Sequence, residues 1–315
     1  YALDSFVREK LTEAINNPQA IKQTLIRQCL KTLQTFLSWI PLGYVFQTDL
    51  VEKVLRNLIA PPSTRIEAIK LFTEISQVSL KDEEESFQNM YKEKTCMFYC
   101  LFIEQIQNVT KNRDLRDEYQ TLAQTKNLSS FEAFCKQVCL AITSVLSQNL
   151  SLIEQTTNTM DQNPNIDYLK SYTQQGLSYL IQCSNIPEDE LFKICLEFWH
   201  FFTMDVLQKT KKSLFDGNNT LGQNIPGMNF DIVTPGLLQN SFCHGQIYPK
   251  ILEELRDTLI DQMAKPKEVL VVIDENGEAV EEHFDDTETI HLYEQMRETL
   301  VFLTNIDSKA MDTCI

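Results

Sequence analysis

Apolar residues recur along most of the chain with the spacing of amphipathic helices. From Ile21 to Leu37 they place Leu25, Leu33 and Phe36 on one stripe, which predicts a helix with this face buried between neighbouring helices. Pro18 stands near its start and Pro41 near its end, as expected of helix boundaries. The same spacing predicts further helices over residues 49–58, 63–75, 87–109, 130–149, 166–183 and 188–207. In the last of these, Leu191, Ile194 and Phe198 form the predicted buried stripe, and Trp39, Trp199 and the phenylalanines are predicted to lie in the core.

Short connections between these helices determine the predicted architecture. Pro61 and Pro62 separate two helices by only a few residues, and short connections make consecutive helices antiparallel neighbours. A period of about forty residues for each helix pair is typical of HEAT and armadillo repeats. We therefore predict an all-α HEAT-repeat solenoid, residues 1–315, made of about five antiparallel helix pairs.

Two segments depart from the helical pattern. Residues 213–245 contain five of the eight glycines together with Pro226 and Pro235, which favours a long flexible loop over a packed element. Residues 268–286 contain a β-branched run, Val269 to Ile273, followed by Asn276-Gly277. Asn-Gly is the strongest short signal for a hairpin turn, so this segment predicts one inserted β-hairpin.

The predicted turn also fixes a register for the hairpin. With Asn276-Gly277 at the centre, Ile273 pairs with Val280 and Val269 pairs with Phe284. These four residues would form one apolar face, while the other face would pair Val272 with Glu281 and Leu270 with His283. A two-stranded hairpin is marginally stable alone, so this one is expected to rest on its own helices or on a partner.

Composition narrows the range of functions. The chain has 43% hydrophobic and 23% charged residues in 315, and 28 basic against 44 acidic residues give a net charge of -16. This is a globular composition, and such a charge repels nucleic acids and anionic membranes but suits a basic protein partner. No run of about 18 apolar residues predicts a membrane span. Nine cysteines, several within helical runs, indicate reduced core residues of a nuclear or cytosolic protein. The start without Met and the end at Ile315 suggest a piece of a longer protein.

Candidate chemistry is sparse. The chain has no glycine-rich phosphate loop, no paired metal-binding histidines and no nucleophile motif, so we predict a protein that is not an enzyme, with no catalytic residue, metal or cofactor. The i, i+4 pairs Cys96/Cys100 and Cys135/Cys139 could face one metal ion, but packing in the core is the favoured interpretation. The adjacent Cys243 and His244 are not expected to converge on one site.

The local signal that stands out is acidic. Between residues 268 and 288 there is no Lys or Arg. The candidate binding residues are Glu268, Asp274, Glu275, Glu278, Glu281, Glu282, Asp285 and Asp286. Composition leaves two interpretations open. The segment is either a solvated flap whose charge prevents aggregation or a docking arm that speeds encounter with a basic partner.

Four blocks of sequence resemble the exportin-1 family of nuclear export receptors, in the importin-β (karyopherin) superfamily. They occur in family order, and they are Thr32–Tyr44 (TLQTFLSWIPLGY), Glu190–Trp199 (ELFKICLEFW), Met263–Val272 (MAKPKEVLVV) and Tyr293–Asp307 (YEQMRETLVFLTNID).

This resemblance implies a specific function. Receptors of this family are rings of HEAT repeats that shuttle between nucleus and cytoplasm through nuclear pores. They bind Ran in its GTP form, cargo with a leucine-rich export signal, and nucleoporins. The acidic hairpin, residues 268–286, resembles the family's acidic loop, which implies that its acids contact Ran. The resemblance also implies that the cargo groove lies beyond Ile315. The alternative hypothesis is a generic helical-repeat scaffold that binds proteins without Ran.

Overall fold

The computed structural model describes residues 23–81, 83–158, 164–217, 248–263, 269–273, 279–283 and 287–307. By its internal contacts the chain divides into two compact units, residues 1–195 and residues 196–315. The predicted count of about five helix pairs includes residues outside these ranges and stays a prediction.

The described residues form helices and one pair of strands. The helices are α1 Gln23–Phe36, α2 Leu42–Phe46, α3 Leu50–Leu58, α4 Pro62–Ser76, α5 Glu85–Thr110, α6 Leu115–Leu122, α7 Leu128–Asn158, α8 Pro164–Ser184, α9 Asp189–Gly217, α10 Pro249–Gln262 and α11 Thr287–Ile306. The strands are β1 Val269–Ile273 and β2 Ala279–His283, between α10 and α11.

The first unit stacks its helices in two rows. In one row α1 packs on α4 and α4 on α7, and in the other α3 packs on α5 and α5 on α8. The rows are joined by contacts of α3 with α4, α5 with α7 and α7 with α8. Consecutive helices with short connections therefore pack as pairs, and each pair packs on the next. This arrangement agrees with the predicted all-helical HEAT-repeat fold.

Helical periodicity explains how the rows form. On α3, the side chains of Leu50, Val54 and Leu58 recur every fourth residue and are all buried. Each such side chain stabilises the fold by about 1.5–3 kcal/mol when it leaves water. Between α4 and α5, the rings of Phe72 and Phe102 lie 5.1 Å apart. The apolar stripes thus provide the main attraction between neighbouring helices.

One glycine marks a close approach between helices. A Cβ atom built on Gly176 of α8 would lie 1.9 Å from the Tyr99 hydroxyl oxygen and 3.4 Å from Ile103 Cδ1, both on α5. Tyr99 is fully buried. Because any larger side chain would collide with this ring, the separation of α5 and α8 depends on the absence of a side chain at Gly176.

The predicted stripe of α1 is correct at Leu33 and wrong at its other two positions. Leu33 is buried, but Leu25 is 52% and Phe36 is 37% exposed. The helix instead buries Ile26, Leu30 and Leu33, which also follow i, i+4, i+7 spacing. The apolar surface of α1 is wider than its partner covers, so spacing alone could not choose the buried face. Trp39, in the turn after α1, is 83% exposed and is not a core residue, whereas Trp199 is fully buried, as predicted.

The predicted bounds of α9 and of the long loop need correction. The lysines near residue 210 suggested an end at about residue 207, but α9 continues to Gly217. Lysines stabilise a helix C-terminus without requiring one, so they did not fix the boundary. Residues 213–217 of the predicted loop are therefore helical, and residues 218–245 lie outside the described residues. The stripe of α9 buries Leu191 and Phe198, while Ile194 is half-buried.

The two strands pair antiparallel in a register that differs from the predicted one. The Cα partners are Val269 with His283, Val272 with Val280, and Ile273 with Ala279. The predicted pairs of Ile273 with Val280 and of Val269 with Phe284 are wrong by one residue. The pair of Ile273 with Ala279 leaves five residues between the strands, and a two-residue turn at Asn276-Gly277 requires an even number.

Candidate functional site

The acidic segment lies in the second unit, between α10 and α11. Of its eight candidate residues, Glu281 and Glu282 belong to β2, opposite Val271 and Leu270 of β1 respectively. The other six candidates lie outside the described residues: Glu268, Asp274, Glu275, Glu278, Asp285 and Asp286. Glu281 and Glu282 are neighbours on one strand, and successive residues of a strand face opposite sides. A partner that met one side of this strand would meet one of these two positions.

The helices on either side of the segment pack against each other. Leu255 and Leu259 of α10 are fully buried, and so is Leu303 of α11. The chain therefore leaves a packed helix at Gln262 and enters another at Thr287. Both ends of the acidic segment are held by helices whose position is fixed by burial.

Sequence reasoning missed Arg256 on α10. This arginine is 2% exposed, and its Nε atom makes no hydrogen bond to a described residue. Its spacing gives a signal in retrospect, because Arg256 follows Leu252 by four residues and precedes Leu259 by three, so it belongs to the buried stripe. The residue places a cation inside the unit that carries the acidic segment.

A polar contact also joins α9 to α11 within the second unit. His200 Nε2 lies 3.1 Å from a carboxylate oxygen of Glu298, and the His200 ring lies 5.4 Å from the ring of Phe302. His200 keeps about a quarter of its side chain exposed. These two contacts connect α9 to α11.

Four buried cysteines meet in the first unit. Cys135 and Cys139 of α7, Cys183 of α8 and Cys195 of α9 are all fully buried. The Cys195 thiol donates to Cys139 Sγ at 3.7 Å. Hydrogen bonds from Cys135 and Cys139 lower the pKa of Cys183, while the pKa values of Cys135 and Cys139 rise. These thiols pack in the core, which was the favoured interpretation of the pair.

The second predicted pair is buried as well. Burial raises the pKa of both Cys96 and Cys100 to about 12. Such thiols stay protonated and react slowly at neutral pH. In the described part of the chain, no group of three or more His, Cys, Asp or Glu residues is arranged to hold a metal ion. Among the described helices, none has both the length and the apolar character to cross a membrane. Cys243 and His244 lie outside the described residues.

Three known protein families match separate parts of the chain. The family described as "CRM1 / Exportin repeat 2" matches residues 244–311, which include α10, both strands and α11. The family described as "Chromosome region maintenance or exportin repeat" matches residues 171–206, and the one described as "Exportin 1-like protein" matches residues 6–72. The three matches follow one another without overlap.

Individual proteins match over nearly the whole chain. Exportin-1 of Drosophila melanogaster is 31% identical over 99% of this chain and 25% of its own length. Exportin-1 of Schizosaccharomyces pombe is 30% identical over 92% of this chain and 25% of its own length, and Exportin-1 of Dictyostelium discoideum is 32% identical over 92% and 24%. The chain thus spans about a quarter of the length of these relatives. With three exportin-family segments in order and about 30% identity along the chain, the protein is similar to exportin-1 proteins over about a quarter of their length.

Proposed function

We propose that this chain is part of a nuclear export receptor that binds the GTP form of the small GTPase Ran and cargo with a leucine-rich export signal. The receptor shuttles between nucleus and cytoplasm through nuclear pores, where it meets nucleoporins. Within it, the helices of this chain supply a scaffold and the acidic segment, residues 268–286, contacts Ran.

The match of the exportin repeat family to residues 244–311 carries this proposal. It covers the acidic segment together with both flanking helices, which supports a role for the segment in the receptor. The packed pair of α10 and α11 supports the same role, because two buried helices limit where the segment can reach. The segment has nine acidic residues between 268 and 288 and no Lys or Arg, so its charge favours a partner with a cation-rich surface.

Charge determines how the segment acts. An exposed ion pair contributes about 0.2–1 kcal/mol, so no single acid is decisive. Several acids together attract a basic surface over a distance set by the Debye length, about 8 Å at physiological ionic strength. The acids should therefore raise the association rate more than they slow dissociation.

Stopped-flow association of the full-length receptor with Ran-GTP tests the proposal. One variant replaces five acids of the segment by Ser: Asp274, Glu275, Glu278, Glu281 and Glu282. At low salt we expect association to slow on the order of tenfold and its salt dependence to flatten. The matched control replaces five acids elsewhere by Ser, with the same change in net charge: Glu83, Glu84, Glu85, Asp117 and Glu197. It should retain the wild-type rate and salt dependence.

Wild-type rates and salt dependence in the five-fold segment variant would refute the electrostatic role. Equal affinity for Ran-GTP and Ran-GDP in the unmodified receptor would favour the alternative, a helical scaffold without Ran dependence.

A further inference from the structure

The first unit contains a pocket of about 270 Å³ that the proposed function does not use. It lies where the C-terminal end of α5, the following connection, and helices α4, α6 and α7 meet. Three basic side chains line it, Arg65, Lys111 and Arg113, together with the aromatic rings of Phe131 and Phe134. Glu118 is the acidic residue of the lining. In a chain of net charge -16, three basic residues around one pocket with a single acidic lining residue are a local reversal of charge.

Arg65 lines this pocket and is oriented by two hydrogen bonds to backbone carbonyl groups. Its Nε donates to the Ile59 carbonyl oxygen at 2.8 Å and its Nη2 donates to the Ala60 carbonyl oxygen at 2.7 Å. The guanidinium carbon lies 5.3 Å from the centre of the Phe134 ring. Arg65 is partly buried, and the loss of hydration on burial lowers the pKa of its guanidinium. Nη1 makes no hydrogen bond to a described residue, so a fixed and partly dehydrated donor remains available.

Lys111 borders the pocket in an unusual backbone conformation. Its φ is 54° and that of Asn112 is 56°, in the left-handed region that residues other than glycine seldom adopt. This conformation ends α5: Lys111 is the C-cap of the helix, and the Asn112 N–H donates to the Gln107 carbonyl oxygen at 3.1 Å, as is common at helix C-termini. Lys111 is exposed and forms no ion pair with a described residue, whereas Arg113 pairs with Glu118 at 3.2 Å.

From this geometry we propose that the pocket binds an acidic segment of a partner protein. A carboxylate of the segment accepts hydrogen bonds from Arg65 and Lys111, and an adjacent apolar side chain packs on Phe131 and Phe134. Charge complementarity favours the carboxylate, and the aromatic wall favours a peptide side chain beside it. This interaction is independent of the acidic segment at residues 268–286, which would recognise a basic surface.

The overall negative charge of the chain does not prevent this contact. Charges beyond about 8 Å are largely screened at physiological salt, so the residues that line the pocket dominate the local potential. A nucleic acid is disfavoured because its regularly charged backbone would have to follow a strip of surface, and the pocket is a single depression.

Fluorescence anisotropy with a defined peptide tests the proposal on the 315-residue chain. The probe is a labelled five-residue peptide with one phenylalanine flanked on each side by two glutamates, and its counterpart carries glutamines in place of the glutamates. We expect the glutamate peptide to bind and the glutamine peptide to bind at least about tenfold more weakly. Circular dichroism establishes that each variant keeps its helical content.

Paired variants connect binding to the pocket. Arg65→Gln with Lys111→Gln should weaken binding of the glutamate peptide by about tenfold. The matched control, Arg116→Gln with Lys126→Gln, removes the same charge from exposed sites that do not line the pocket and should change the affinity less than about twofold. Phe131→Ala should weaken binding of the glutamate peptide. It should not change the affinity for a second peptide in which alanine replaces the phenylalanine.

Three results would overturn the proposal. The first is an equal loss of peptide affinity in the pocket double variant and the control double variant. The second is the absence of saturable binding of the glutamate peptide. The third is equally tight binding of a single-stranded oligonucleotide of the same charge. None of these involves Ran, so failure here leaves the proposed receptor function unaffected.

Discussion

The substitution Gly176→Ala tests how closely α5 packs against α8. The added Cβ would lie 1.9 Å from the Tyr99 hydroxyl oxygen, whereas ordinary contact begins at 3.4 Å. The ring or the helix must therefore move by 1.5 Å, the difference between these two distances. Tyr99 is fully buried among its neighbours, so it cannot swing into solvent to make room.

Two effects oppose each other at this position. Ala stabilises a helix interior by about 1 kcal/mol relative to Gly. Overpacking of a dense core costs about 1–3 kcal/mol. We expect the second effect to win, and Gly176→Ala to lower the free energy of unfolding by up to about 2 kcal/mol.

A double-mutant cycle with Tyr99→Phe isolates the clash. Without the hydroxyl, the nearest ring atom would be Tyr99 Cζ at 3.1 Å from the new Cβ, a contact that small shifts can accommodate. In this background Gly176→Ala should be neutral or slightly stabilising, so the two substitutions should couple by about 1–3 kcal/mol. Urea unfolding followed by circular dichroism at constant m-value measures each corner of the cycle.

Gly43→Ala is the matched control. Its Cβ would meet side-chain atoms of Gln47 at 3.4 Å or more, so the helix propensity gain should appear without a clash and stability should rise by up to about 1 kcal/mol. If Gly176→Ala has the same cost with Tyr and with Phe at position 99, the steric argument is wrong.

Two further predictions concern the tryptophans and the buried thiols. Trp39, 83% exposed, and Trp199, fully buried, should separate in iodide quenching. Trp39→Phe should remove the quenchable emission with little change in stability, and a quenchable Trp199 in that variant would contradict the assignment. Because burial raises the pKa of Cys96 and Cys100 from 9.0 to about 12, the unfolded chain loses these protons at lower pH than the folded chain. Their contribution to stability should be present below pH 9 and decline between pH 9 and about 12. Urea unfolding of Cys96→Ala/Cys100→Ala across this range should show a shallower decline than the wild type, and parallel curves would contradict the pKa shift.

Helical periodicity predicted the class of fold and most of the helices, because burial of apolar stripes is the main force that orders them. It could not select the buried face of α1, where Leu25 and Ile26 both begin stripes with helical spacing. Only the neighbouring helix decides that Ile26 is covered. Boundaries failed where the signal was electrostatic, as at the lysines of α9, because such effects amount to about 1 kcal/mol or less.

For the candidate site too, the sequence predicted some features and not others. Its location between two helices could be predicted, because β-branched residues and an Asn-Gly pair stand out in a helical chain. The register could not, since loops of different length fit the same dipeptide. The pocket at Arg65 depends on contacts between elements distant in sequence, and no local pattern distinguishes this arginine from a solvated one. Arg256 lies on the buried stripe of α10, but an arginine at such a position is normally expected to be exposed.

The length of the hairpin connection has a consequence for how this segment can change in evolution. The pair of Ile273 with Ala279 encloses an odd number of residues, and residues alternate between the two faces of a strand. Loss or gain of one residue between 274 and 278 would move the pairing by one position and exchange the faces of β2 relative to β1. Loss or gain of two residues would keep each face where it is. Among related chains, insertions and deletions at this point should therefore occur in even numbers.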